Sequence, residues 1–142
     1  MSGKRIGTWI LQGLLAAVFL YAGSMKLAGS EAMVQVFRHL GYGDGFRIFI
    51  GTVEVAGGIA LLIPRITTLA SLGLMVVMVG AAYTHLAQND GWGAATPAMV
   101  LFVLLGIVAY ARRNGLASLV TTISGHARDA SGAGKPGEAT FP

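Results

Sequence analysis

The chain of 142 residues contains no cysteine and few charged residues, and both shortages exclude whole classes of protein. Without cysteine there is no disulfide scaffold, no CxxC thiol oxidoreductase and no Cys-ligated zinc, haem or iron-sulfur site. Charged residues make up 11% of the sequence, whereas an ordinary soluble domain carries about a quarter. Hydrophobic residues make up 54% and the mean hydropathy is +0.68. This composition predicts an integral membrane protein.

The formal net charge of +4 does not indicate a nucleic-acid partner, because of where the basic residues lie. They flank apolar runs instead of forming a stripe along one face, as do Lys4, Arg5, Arg65, Arg112 and Arg113. This arrangement is a membrane-topology signal. We therefore predict membrane lipids as the surroundings of the chain and no nucleic acid as a partner.

Four apolar segments are long enough to cross a bilayer, which takes about 20 residues at about 1.5 Å of rise each. We predict spans at about residues 6–28, 46–63, 66–88 and 94–111. The first resembles a signal peptide in its basic start, but the candidate cleavage sites Tyr21-Ala22-Gly23 and Leu27-Ala28-Gly29 lack the small-x-small pattern, and the segment is interpreted as a helix. The predicted fold class is all-α, with a four-transmembrane-helix bundle in residues 1–113.

Four spans place both termini on the same side of the membrane as most of the basic residues. The positive-inside rule then predicts an N-in, C-in, multi-pass membrane protein with both termini in the cytoplasm. Arg38 and Arg47 fall in the first, outer loop, where the spacing of apolar residues from Glu31 to Leu40 predicts a short amphipathic helix capped by Gly41. Residues 114–142 are predicted to form a short amphipathic segment and, from Ser124, a flexible cytoplasmic tail.

Three titratable residues interrupt the predicted spans, and each is a functional-site hypothesis because polar groups are costly in lipid. Lys26, Glu54 and His85 lie about 7 to 10 Å inside the outer ends of their helices. Each has Gly or Ala three or four residues away, which is typical of helix contacts. We predict an interior cluster of these three as the candidate catalytic site. Weaker polar neighbours are candidate ligand-binding residues: Tyr21, Ser24, Tyr83 and Thr84.

The cluster is suited to binding a quinone carbonyl, an anion or a small carbonyl compound, since it can donate, accept and shift its protonation in a low-dielectric pocket. Two alternatives remain open: a structural ion pair of Lys26 and Glu54 capped by His85, or Lys26 reaching alone to the interface. A transmembrane haem would want two axial histidines, and only His85 lies in a predicted span. Glu54 and His85 supply at most two metal ligands. We predict no haem, no iron-sulfur cluster and no metal.

Three stretches of the sequence resemble the DoxX-like family of small four-helix bacterial membrane proteins. They are LLAAVFLYAGSMKL at 14–27, VQVFRHLGYGDGFRIFIGTVEVAGGIALLIPR at 34–65 and GAAYTHL at 80–86. The resemblance covers about residues 6–113, and its most specific parts surround Lys26, Glu54, the LLIPR turn and His85. It implies a membrane subunit of an oxidoreductase assembly in the bacterial cytoplasmic (inner) membrane. The DoxD branch is associated with thiosulfate:quinone oxidoreduction, and another branch with a complex joining superoxide dismutase and a sulfurtransferase.

The leading hypothesis is a quinone-facing or small-ligand-binding membrane subunit that serves a redox partner protein. Lys26 would stabilise the ligand oxygen, Glu54 would keep Lys26 charged and relay a proton, and His85 would be a second proton carrier. The alternatives are a stand-alone, isomerase-like membrane enzyme acting on a lipophilic substrate, a structural adaptor, and a small carrier that would have to form a homo-oligomer.

Overall fold

The computed structural model describes residues 2–132, and every regular element in them is an α-helix. The helices are α1 (Gly3–Leu27), α2 (Glu31–His39), α3 (Asp44–Leu61), α4 (Thr67–Ala87), α5 (Trp92–Ala111) and α6 (Arg113–Gly132). The all-α class is confirmed, with no strand in this part of the chain. The four segments predicted as spans correspond to α1, α3, α4 and α5, with ends that differ by a few residues.

Three of these helices, α1, α4 and α5, are long and apolar enough to cross a membrane. The fourth, α3, has 18 residues and carries Asp44, Arg47 and Glu54. On length and composition, the described chain therefore has three candidate spans where four were predicted. The difference arises from the charged residues of α3, because its length of 18 residues rises about 27 Å.

Four helices pack in a ring, with α1 along α3, α3 against α4, α4 along α5, and α5 back against α1. We call the end of the ring that carries α2 and the α4–α5 turn the α2 end, and the opposite end, where α6 begins, the α6 end. Apolar side chains fill the ring between the two ends: Leu15, Ala16, Phe19, Leu61, Leu74, Met78, Ala98, Leu105 and Val108.

Backbone contact between α1 and α3 is made through Gly23 and Gly51. A Cβ atom on Gly23 would lie 2.7 Å from Cγ2 of Val55 and 2.8 Å from the carbonyl oxygen of Gly51. A Cβ atom on Gly51 would lie 3.0 Å from the carbonyl oxygen of Gly23. Only glycine permits so close an approach, which is the usual use of small residues between helices in lipid.

The predicted short helix in the first loop is present as α2. It ends before Gly41, whose φ of +79° is the left-handed conformation expected of a glycine after a helix. Phe37 is buried on the inner side of α2, with ring centroids 6.5 Å from Tyr42 and 6.3 Å from Phe46. This aromatic contact fixes α2 to the start of α3.

The last helix is longer than predicted, because α6 continues to Gly132 where a loose tail was expected from Ser124. None of its residues is buried. Hydroxyl groups of Ser118, Thr121 and Thr122 donate to carbonyls one turn earlier. Once a helix is nucleated, each further residue adds a bond at little cost, so a Gly- and Ser-containing sequence can prolong it. Residues 133–142 of the predicted tail lie outside the described residues.

We expect Gly23→Ala to destabilise the bundle, because the added methyl group would meet the α3 backbone. Overpacking of this kind costs about 1 to 3 kcal/mol. The matched control is Gly13→Ala in the same helix, where a Cβ atom meets nothing within 4 Å. Alanine favours helix over glycine, so this control should be neutral or slightly stabilising. Thermal unfolding in detergent measures both, and equal melting temperatures for the two variants would contradict the close contact.

Candidate functional site

Lys26 and Glu54 form an ion pair between α1 and α3 at the α2 end. The Lys26 Nζ donates to Glu54 Oε2 at 2.8 Å, and the two side chains are 14% and 4% exposed. Gly23 precedes Lys26 by three residues, and Gly51 precedes Glu54 by three. Residues three apart share a helix face. Because α1 and α3 run in opposite directions, Lys26 and Glu54 lie on opposite sides of the glycine contact, and a Cβ atom on Gly51 would lie 2.9 Å from the Lys26 Cβ. The close approach of the two helices lets the long Lys26 side chain reach Glu54 across this contact.

The pair retains unused hydrogen-bonding capacity. An ammonium group has three N–H donors, and a carboxylate has about four acceptor positions on its two oxygens. Between residues 2 and 132, the bond from Lys26 to Glu54 is the only side-chain hydrogen bond that either makes. Two N–H groups of Lys26 and the Oε1 atom of Glu54 thus have no hydrogen-bond partner among the described residues.

Arg47 lies beside this pair and is a residue that the sequence analysis missed. It is 6% exposed, its guanidinium donates to the Lys26 carbonyl oxygen, and its Nε lies 3.3 Å from Asp44 Oδ1. The carbonyl groups at the end of α1 carry the negative end of the helix dipole, which stabilises a buried cation. Arg47 stands at the edge of the span predicted at about 46–63, but it was counted as a charge of the first loop. The signal that could have placed it in a helix is Asp44, an acidic residue three positions earlier.

His85 has a different partner from Lys26 and Glu54. Its Nδ1 lies 2.9 Å from Asp90 Oδ2, and His39 Nε2 lies 2.6 Å from Asp90 Oδ1. We call this group the histidine–aspartate link. It joins α2, the last turn of α4 and the α4–α5 turn. The structure thus brings Lys26 and Glu54 together, while no hydrogen bond or ion pair in the described chain joins His85 to them.

The link has its own electrostatic character. Hydrogen bonds from His39 and, second, from His85 hold the pKa of the Asp90 carboxyl below its ordinary value. The two imidazoles contact different oxygens of Asp90. No three His, Asp or Glu side chains within the part of the chain that the structure describes are arranged to hold a metal ion.

The four candidate ligand-binding residues are exposed on the bundle surface or form hydrogen bonds within their own helices. Tyr21 and Tyr83 are 69% and 72% exposed on the outside of the bundle. The hydroxyl groups of Ser24 and Thr84 donate to the carbonyls of the residues four positions earlier. None of the four makes a hydrogen bond to Lys26 or Glu54 among the described residues. Their positions suit contact with lipid or with another protein.

A second buried polar group lies at the α6 end. Gln12 Nε2 donates to the Leu61 carbonyl oxygen and lies 3.3 Å from Thr67 Oγ1. Its Oε1 accepts a hydrogen bond of 3.0 Å from Arg112 Nε. This group could not be predicted from the sequence, because Thr67 and Arg112 stand at helix ends and only the fold brings them to Gln12. It joins α1, the end of α3, the start of α4 and the end of α5.

We expect Asp90→Asn to loosen α2, because the charged acceptor of the histidine–aspartate link is lost. Folding lowers the pKa of Asp90, so its stabilising effect is complete above the ordinary value of 3.8 and is lost as the pH falls through the lowered value. Amide hydrogen exchange across α2 should be faster in the variant at neutral pH, and the difference should vanish well below pH 3.8. Asp129→Asn on exposed α6 is the control. Unchanged exchange in Asp90→Asn at neutral pH would show that the link does not hold α2.

Comparison with known proteins bears on the origin of this bundle. No curated protein matches the chain. The DoxX-like family model matches residues 10–108, from the second turn of α1 almost to the end of α5. The match includes Lys26, Glu54 and the histidine–aspartate link, and it confirms the resemblance seen in the sequence. The chain is a membrane protein by its apolar helices and belongs to the DoxX-like family.

Proposed function

We propose that the protein spans the cytoplasmic membrane of a bacterium four times, with both termini in the cytoplasm. Support for a spanning α3 comes from its packing along α1, from the Gly51 contact at the α2 end to the Leu61–Gln12 bond at the α6 end. Its buried charges are paired, Glu54 with Lys26 and Arg47 with Asp44. Support for the orientation comes from the basic residues at the α6 end.

Single-cysteine labelling tests the span count, because the chain has no cysteine of its own. Gln35→Cys in α2 and Gln88→Cys after α4 should react with an impermeant maleimide from the same side of the membrane, the outside. Ser118→Cys in α6 should react only after permeabilisation. All three positions are exposed. A three-span chain without α3 would place Gln35 and Gln88 on opposite sides, so that labelling pattern would reject the proposal.

The function that the site supports best is binding of a small lipophilic carbonyl compound, of the quinone class, at the Lys26–Glu54 pair. The observation that carries it is the buried pair with donors and an acceptor left over. The Lys26 ammonium donates to a carbonyl oxygen of the oxidised ligand. Glu54 accepts from a hydroxyl of the reduced ligand and holds the Lys26 ammonium in position through their hydrogen bond.

Energetic considerations favour a ligand role over a purely structural one. Removing two charges from water carries a penalty that their attraction often fails to recover. Apolar side chains of similar volume would hold α1 to α3 as well or better. A polar pair that leaves bonds unmade in this position is therefore poorly explained by packing alone.

Electrons would have to reach the ligand from a partner protein. Lys26 and Glu54 bond to the ligand but carry no electrons, and reduction of a quinone to a quinol takes two electrons and two protons, the protons coming from water. The two electrons would come from a redox partner protein, which makes this chain a membrane subunit of an oxidoreductase system. His85 is given no part in the binding, because no hydrogen bond within residues 2–132 joins it to Lys26 or Glu54.

Glu54→Gln and Lys26→Met should each weaken binding of a short-chain ubiquinone analogue by about tenfold or more, since each removes a charge-assisted hydrogen bond. Each single variant also leaves one buried charge without its partner, which costs about 3 to 5 kcal/mol of stability. The double variant Lys26→Met/Glu54→Gln removes both charges and should recover most of that stability without recovering binding. Tryptophan fluorescence quenching and thermal unfolding measure the two effects.

Glu31→Gln at the exposed start of α2 is the control for this series, because it removes a carboxylate that has no ion pair among the described residues. It should bind the quinone analogue like the wild type. If the double variant binds the quinone analogue as tightly as the wild type does, the Lys26–Glu54 pair has a structural role only. Turnover of a lipophilic substrate by the purified chain without a redox partner would favour the isomerase-like enzyme instead.

A further inference from the structure

A groove of about 780 Å³ opens at the α6 end, between the first turns of α1, the end of α5 and the start of α6. It is distinct from the Lys26–Glu54 pair, which lies at the α2 end. Three of the residues that line it are basic, Lys4, Arg5 and Arg112, and none is acidic.

The basic residues of the groove have no acidic partners. No ion pair of Lys4, Arg5 or Arg112 occurs within residues 2–132. The sequence has no Asp or Glu before Glu31, and none from Gly91 to Arg128. Three positive charges therefore converge on one groove without local compensation, and an anion would be attracted to it.

Arg112 is held in place by neighbours on α1. Its Nε donates to Gln12 Oε1 at 3.0 Å, and its guanidinium carbon lies 4.7 Å from the centre of the Trp9 ring. Its Nη2 is buried and has no hydrogen-bond partner among the described residues. Two contacts thus fix the orientation of a cation before any anion arrives, which reduces the entropy cost of binding.

The groove changes from charged to apolar along the helix axes. Leu11 lies about 10 Å further along α1 than Lys4, and Ile107 lies about 7 Å deeper along α5 than Arg112. Both are apolar and line the same groove. Basic residues at the membrane surface and an apolar wall below them match the headgroup and acyl chain of a phospholipid.

We propose that this groove binds one anionic phospholipid. Lys4, Arg5 and Arg112 contact the phosphate, and an acyl chain lies along Leu11 and Ile107. Basic grooves between membrane helices are known to hold acidic headgroups in this way. A soluble phosphate would use the same three cations, but it would leave the apolar wall of the groove uncovered, so the observations favour the lipid.

Native mass spectrometry of the purified full chain tests the proposal, with phosphatidylglycerol, phosphatidylcholine and inorganic phosphate as probes. The wild type should retain one phosphatidylglycerol and no phosphatidylcholine. Lys4→Gln/Arg5→Gln should weaken phosphatidylglycerol retention by about tenfold or more. Arg112 stays in place in this variant, because it also holds Gln12 in the fold.

Arg65→Gln/Arg113→Gln is the matched control, since it removes the same charge at the same end from residues that do not line the groove. Because the proposed attraction is local to the groove, this control should retain the lipid within about twofold of the wild type. Equal losses in both double variants would overturn the proposal in favour of diffuse surface attraction. Binding of inorganic phosphate without binding of lipid would overturn it in favour of a soluble anion. Thermal unfolding in detergent confirms that both variants are folded.

Discussion

The backbone contact of α1 with α3 sets the geometry on which the chemistry of the bundle depends. Gly23 and Gly51 let the two antiparallel helices touch, and Lys26 and Glu54 lie one turn to either side of this contact, close enough to form an ion pair. The attraction between buried charges falls with distance and is strong only where water is excluded. A larger side chain at either glycine would separate the helices and stretch the ion pair. The electrostatic attraction in the site thus depends on the packing of two small residues.

Polar groups segregate to the two ends of the ring, and the ends differ in charge. Four of the five acidic residues in the described chain belong to α2, α3 or the α4–α5 turn: Glu31, Asp44, Glu54 and Asp90. Three of these carboxylates have partners at the α2 end, Glu54 with Lys26, Asp44 with Arg47, and Asp90 with two histidines. At the α6 end the basic groove has no such balance. The same bundle therefore presents a neutralised polar site at one end and an open positive surface at the other.

The helices could be predicted from the sequence because long apolar runs end at Gly, Pro or charged residues, and a membrane offers no other way to satisfy the backbone. Lys26 and Glu54 stood out as charges inside such runs. The partner of His85 could not be predicted in the same way, because Asp90 lies in a turn outside the predicted spans. Arg47 was likewise counted as a loop charge. Both belong to contacts that only the folded ring creates, between elements that a linear pattern treats separately.

The charges of α3 explain why its sequence alone is a poor guide to its place in the membrane. Hydropathy counts Arg47 and Glu54 as separate costs, each of several kcal/mol in lipid. In the folded bundle Glu54 is paired with Lys26 of α1, and Arg47 donates to the last turn of the same helix. Both costs are therefore reduced by one neighbour, and only after that neighbour is in position. In the four-span arrangement proposed above, α3 would be stable in lipid as part of a unit with α1, so that the helix least suited to the membrane by itself is the one that carries the site.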